Sequence, residues 1–244
     1  MLRRAFFSTC CLVALSAGVA NADIFPVSDP AKTPASTVLF GAANVREDNA
    51  YGIVGAVIAL NGDLTKNGVI FNASWEYLDY DYLANPVTPI EADGFGVNAL
   101  VGYQWVWGDG DKFAALAGVN HRHIDTQPFD PFSDTDGDNT SFKVQGELYL
   151  NNGSWDLSAI GSYATHENAW YTRVRPAFKL GGGGDIGPEI SYHGSDEYDT
   201  LEYGAFIRVP MDETVAIGVR AGYADSDSSR SDGGYVGIEI AKAF

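Results

Sequence analysis

The chain predicts an all-β fold, an antiparallel transmembrane β-barrel of about 12 strands over residues 37–244. Three observations lead there. Apolar residues alternate with small or polar ones at period two in segment after segment. The long links fall on one side of the strand order. Aromatic residues gather near both ends of the apolar strands.

Residues 1–22 read as a secretory signal peptide. Arg3 and Arg4 supply the positive start, Leu12 to Val19 the apolar stretch, and Ala20-Asn21-Ala22 the cleavage site, so the mature chain is expected to start at Asp23. The apolar run 6–20 is too short to be a spanning helix. Cys10 and Cys11 both lie inside this segment, which leaves residues 23–244 without thiol chemistry. Residues 23–36 (DIFPVSDPAKTPAS) carry three prolines and no periodicity, and read as a periplasmic lead-in.

Alternating segments follow at 37–46, 50–61, 68–82, 93–107, 112–125, 140–151, 154–166, 169–181, 185–195, 199–211, 214–225 and 233–244. The number is even, as a bacterial barrel with both ends on the periplasmic side requires. Parity is clearest in three of them. Phe95, Val97, Ala99, Val101, Tyr103, Trp105 and Trp107 oppose Gly96, Asn98, Gly102 and Gln104. Phe142, Val144, Leu148 and Leu150 oppose Lys143, Gln145, Glu147 and Tyr149. Val215, Ile217, Val219, Ala221 and Tyr223 oppose Ala216, Gly218, Arg220 and Gly222. In the last strand Val236, Ile238, Ile240 and Phe244 share one face, interrupted by Lys242. Successive side chains of a strand point to opposite faces, so each strand has one face in an apolar environment.

A soluble β-sandwich would show the same parity, and the links decide between the two. After even-numbered strands they are short: 108–111, 151–154, 181–184 and 211–213. After odd-numbered strands three are long: 84–93, 126–140 and 225–232. Short periplasmic turns and long outer loops are expected of an outer-membrane barrel. All five tryptophans share the lipid parity. Trp105, Trp107, Phe113, Trp155, Phe178 and Phe244 would form one belt; Tyr77, Phe95, Tyr163, Trp170, Tyr192, Tyr203 and Tyr223 would form the other. The expected location is the bacterial outer membrane, with its lipid as a partner.

The formal charge of −17 becomes −19 once Arg3 and Arg4 leave with the signal. Such acidity excludes nucleic acid as a partner, because phosphate backbones need a basic face. It leaves neutral sugars open.

Two stretches, YGIVGAVIALNGDLTKNGVIFNASWEYLDYDY (51–82) and AWYTRVRPAFKL…IGPEISYHGSDEYDTLEYGAFIRV…AIGVRAGY (169–223), resemble the BcsS-type family of cellulose biosynthesis proteins. GFGVNALVGYQWVW (94–107) fits between them, while the acidic loop 126–140 falls outside the resemblance. The resemblance implies a secreted outer-membrane protein associated with cellulose synthesis and export, with cellulose or its export machinery as a partner. It implies no reaction and no cofactor.

The inward parity is heavily charged: Lys143, Glu147, Arg173, Arg175, Lys179, Glu189, Glu202, Arg208, Arg220 and Glu239. Buried charges persist when paired, so these residues predict an ion-pair network filling the lumen; a charged constriction that selects a solute is the alternative. His121, His123, His166 and His193 map near the outer strand ends and are expected at the surface. Ser162 with His166, or Ser191 with His193, lacks an orienting third residue, so an outer-membrane hydrolase is a remote alternative and the protein is read as no enzyme. Asp134, Asp136 and Asp138 suggest a weak calcium loop without EF-hand spacing. Tyr80, Tyr82, Phe129 and Phe132, in or beside the long loops, are candidates for stacking on sugar rings. Two functions remain: a non-catalytic component of cellulose or exopolysaccharide export, and a porin-like diffusion channel for small solutes.

Overall fold

Twelve antiparallel strands close into one barrel in the computed structural model, which describes residues 34–47, 49–84, 88–130, 135–181, 183–196, 198–226 and 232–244. The strands are β1 (Thr37–Arg46), β2 (Asn49–Ala59), β3 (Gly68–Ala84), β4 (Thr88–Trp107), β5 (Asp111–Gln127), β6 (Gly137–Asn151), β7 (Trp155–Ala164), β8 (Ala169–Lys179), β9 (Asp185–Gly194), β10 (Asp199–Pro210), β11 (Val215–Ser226) and β12 (Gly233–Ala243). Each pairs with its neighbours in sequence, and β12 pairs with β1, from Val38 opposite Ala243 to Val45 opposite Val236. Closure leaves no edge strand, which satisfies every ladder internally. The signal segment 1–22 and most of the lead-in lie outside the described residues. The end of the lead-in does not: Ser36 N–H donates to the Phe244 carbonyl (2.7 Å), and Phe244 N–H to the Thr37 carbonyl (2.8 Å).

Parity in the sequence becomes inside and outside. Along β12, Val236, Ile238 and Ile240 are exposed on the outer surface, while Tyr235, Gly237, Glu239 and Ala241 are buried in the lumen. All five tryptophans face outward, and Trp105 stacks on Phe113 across β4 and β5 at 5.7 Å. At the opposite end Trp170 meets Tyr192 at 4.2 Å, and Tyr203 meets Tyr223 at 5.9 Å. An outward apolar band between two aromatic girdles is the surface of a barrel that sits in a bilayer.

The links depart from expectation in three places. Residues 84–93 were expected as a loop, but the ladder continues through 88–93 to Ala84 opposite Thr88, and β3–β4 is a long hairpin. Pro89 misled because proline breaks ladders; here it pairs with Leu83 on β3 but lies beyond the last β4–β5 pair, Glu91 opposite Gln127, so β5 needs no amide from it. Likewise β5 reaches Gln127 and β6 begins at Gly137, which shortens the loop expected at 126–140. On the other side, the β2–β3 link at 60–67 is long. It folds inward: Leu64 is buried, its amide donates to the Ala35 carbonyl (2.7 Å), and Gln104 Nε2 donates to the carbonyls of Leu64 (2.9 Å) and Lys66 (2.8 Å). This strap covers the end of the barrel at which the chain enters and leaves.

The lumen is packed in two sectors. Val38, Phe40, Tyr51, Ile53, Val57, Ile70, Leu78, Leu100, Leu116 and Ile124 form an apolar core on β1–β5. Charged side chains fill the opposite sector, β8–β12.

Candidate functional site

The charged sector is built by inward positions at one height on adjoining strands. On β8, Arg173 and Arg175 are two residues apart and so share the lumen face; Glu189 on β9, Arg220 on β11 and Glu239 on β12 meet them. Arg175 grips Glu239 with both arms, Nη1 to Oε2 at 2.9 Å and Nη2 to Oε1 at 2.7 Å, and also contacts Glu189 directly. Arg173 Nη1 donates to Glu239 Oε1 at 3.2 Å. Arg220 Nη1 donates to Glu189 Oε1 at 2.8 Å and lies 3.8 Å from Glu202, which accepts from Ser191 Oγ at 2.8 Å. Tyr235 OH adds a bond to Glu189 at 3.2 Å. Three guanidiniums meet three carboxylates, so the cluster is neutral as a whole. Forked arginine–carboxylate contacts are among the strongest available to a buried pair. Small residues make room: a Cβ on Gly237 would lie 2.8 Å from Arg220 Nε, and one on Gly222 only 2.6 Å from Gly204 Cα and 2.8 Å from Tyr235 Cε1.

A second group lies toward the strap. Arg208 holds Asp185 through Nε (3.0 Å) and Nη2 (2.7 Å) and comes within 3.7 Å of Asp156, which also receives Lys179. A third lies on β3–β6, where buried Lys143 donates to Asn98 Oδ1 at 3.0 Å and lies 4.0 Å from Glu76. Asn98 also bonds Glu76 and Ser74, Asn120 donates to Asn98 Oδ1 (3.0 Å), and Arg122 stands 3.7 Å from Glu76. Glu147 is half-buried and accepts from Gln145 Nε2 at 2.6 Å.

Glu76, Arg122, Asp156 and Asp185 were missed by sequence reasoning. The signal was there for two of them. Trp75 and Trp155 face lipid by parity, so Glu76 and Asp156 had to face inward.

The remaining candidates scatter. Tyr80 is buried at 7% exposure with its ring 6.1 Å from Tyr82, so it offers no face to a sugar. Tyr82 OH donates to Asp130 Oδ2 at 3.1 Å; Phe129 alone of the described candidates is fully exposed, at 67%. Phe132 and Asp134 lie outside the described residues. Asp136 Oδ1 accepts from the Thr126 amide (2.9 Å) and hydroxyl (2.8 Å), while Asp138 Oδ1 lies 2.9 Å from His123 Nδ1 and 3.7 Å from His121 Nε2. Among the described residues no three His, Cys, Asp or Glu side chains group as metal ligands. His193 corrects the surface expectation: it is 2% exposed, inside the lumen, with Tyr171 and Tyr198 rings around it. Its parity with Glu189 and Ser191 placed it there. Ser191 directs its hydroxyl to Glu202. His166 Nε2 lies 2.8 Å from Glu167.

Two carboxyls outside the strands are held below the usual carboxylate range. Asp63 in the strap is held first by Lys66 (2.8 Å), then by the Thr65 hydroxyl (2.6 Å). Asp212 in the β10–β11 turn is held by the amide of Thr214, then by its hydroxyl and the Val215 amide.

The family described as "Cellulose biosynthesis protein BcsS" matches residues 38–244, the whole barrel. This chain belongs to the BcsS family. No curated protein matches the sequence closely enough to count as a relative. Among solved structures, the fold is similar to the KdgM porin, with a TM-score of 0.50 at 6% identity over 85% of this chain and 99% of that one. It is also similar to the CymD monoaromatic hydrocarbon channel, with a TM-score of 0.50 at 6% identity over 88% of this chain and 91% of that one. At such identity the likeness concerns the fold: a BcsS-family chain has the closed barrel of outer-membrane porins and channels.

Proposed function

We propose that the protein is a non-catalytic outer-membrane component that assists cellulose, or a related exopolysaccharide, as a filled barrel rather than an open pore. Membership in the BcsS family carries the link to cellulose. The packing of the lumen supports a scaffold: an apolar core on β1–β5 bordered by the Lys143–Glu76–Arg122 group, neutral ion-pair clusters on the opposite wall, and the 60–67 strap across one end. In this reading the inward charges form structural pairs that narrow the lumen, and the chain leaves the secretory pathway cleaved before Asp23. The polymer would meet the outer ends of β3 and β4 and the exposed ring of Phe129, where ring stacking and carboxylate acceptors suit a neutral sugar.

Deleting the gene should reduce or relocalise extracellular cellulose while synthase activity in isolated inner membranes stays unchanged. Unaltered cellulose together with reduced uptake of a small solute would replace this reading with the diffusion channel, which the likeness to porin folds keeps as the second candidate.

A further inference from the structure

Lys242 breaks the apolar parity of the last strand and points outward, with Nζ 4.9 Å from the centroid of the Phe244 ring. Among the described residues it makes no direct ion pair: the nearby turn carboxylate, Asp212, feels its charge but takes its hydrogen bonds from Thr214 and Val215. Beside it the outer wall is hollow. Gly41, Ala43 and Gly52 floor a groove of about 490 Å³ across β1 and β2, walled by Trp75 on one side and by Ile238 and Ile240 on the other. Ile240 lies opposite Gly41, and Lys242 opposite Leu39 on the same face. The ammonium-bearing residue therefore stands about 7 Å beyond the groove along the strand, at the strap end of the barrel.

We propose that this groove binds an acyl chain of a glycerophospholipid whose phosphate is held by Lys242. The inference goes beyond the role in cellulose and rests on the outer surface lying in lipid. The chemistry selects the occupant in two steps. The groove is apolar and sits between the aromatic girdles, so a hydrocarbon chain fills it. A second copy of this barrel with its two-fold axis through the groove would bring an identical hollow against it and leave a void. At the groove's end a lysine at the water boundary, long enough to reach outward, favours an anionic headgroup over a neutral one.

Native mass spectrometry of the folded barrel in mild detergent tests the site. The unmodified protein should retain one glycerophospholipid per barrel. Gly41→Leu should lose it: a Cβ at Gly41 meets Ile240 Cγ2 at 3.5 Å and Val54 Cγ1 at 3.6 Å, ordinary contacts, so the side chain fills the groove without displacing the backbone. Val174→Leu, exposed on β8 on the far side of the outer wall, should leave retention unchanged. In titrations Lys242→Gln should weaken phosphatidylglycerol about fivefold, leave diacylglycerol as it was, and inorganic phosphate should not bind. Equal lipid retention by Gly41→Leu, or a preference for phosphatidylglycerol that survives Lys242→Gln, would overturn the site. Heat-modifiable gel mobility shows in each case that the barrel is folded. A protein that stays in solution without detergent would overturn the membrane reading, and the lipid site with it.

Discussion

Glu189 sits at the centre of the charged sector. It contacts Arg175, accepts from Arg220 and Tyr235, and has Arg173 at 4.0 Å, all with almost no solvent access. Removing one partner from a buried pair leaves an uncompensated charge, which costs about 3–5 kcal/mol. Glu189→Ala should therefore destabilise the barrel by that order in denaturant unfolding from micelles. The double variant with Arg175→Ala restores two cations to two anions and should recover part of the loss; a double variant worse than the sum of its parts would contradict the pairing. Asp63 gives a residue-scale prediction in pH. Its carboxyl is depressed in the folded state, so its stabilisation of the strap is present above the unfolded pKa of roughly 4 and lost as pH falls through the lower folded value. Protection of the strap amides against hydrogen exchange should decline only below about pH 4, and Asp63→Asn should remove that dependence.

At the scale of elements, the outward stripes of β11 and β12 are the sharpest claim. Val219 and Ile238 sit opposite each other in the ladder, both exposed on the outer wall. Arginine at a mid-bilayer, lipid-facing position costs about 2–4 kcal/mol, so Val219→Arg and Ile238→Arg should each assemble poorly in vesicles; normal assembly of both would mean that the stripes do not face lipid. The inward stripe gives a complementary test. Gly222→Val would drive a branched side chain into Gly204 Cα and the Tyr235 ring, and overpacking of this kind costs about 1–3 kcal/mol in unfolding experiments. Strand parity was legible because period two leaves no freedom: once Trp75, Trp155 or Val236 faces lipid, its neighbours must face the lumen. The links were less legible. Pro89 signals loop by composition, yet pairing within the β3–β4 hairpin overrides local propensity, and nothing local announces that Leu64 folds back under Gln104. Within the charged sector the adjacent-strand partners, Arg175 with Glu189 and Arg220 with Glu202, were legible from strand order, but the longer reaches were not. Which guanidinium grips which carboxylate depends on side chains reaching across the lumen, as Arg175 on β8 reaches Glu239 on β12.

For the whole molecule, the central claim is that the barrel is filled. Apolar packing on β1–β5, the Lys143–Glu76–Arg122 group beside it and neutral clusters on β7–β12 fill the lumen, and the strap lies under them. Closed barrels of porin-like fold range from open channels to plugged scaffolds, and the contents of the lumen decide which. Recording current through the purified, unmodified protein in planar bilayers tests this most directly. The filled barrel predicts no steady conductance, and at most brief, small openings; a large, stable conductance from every inserted molecule would contradict it.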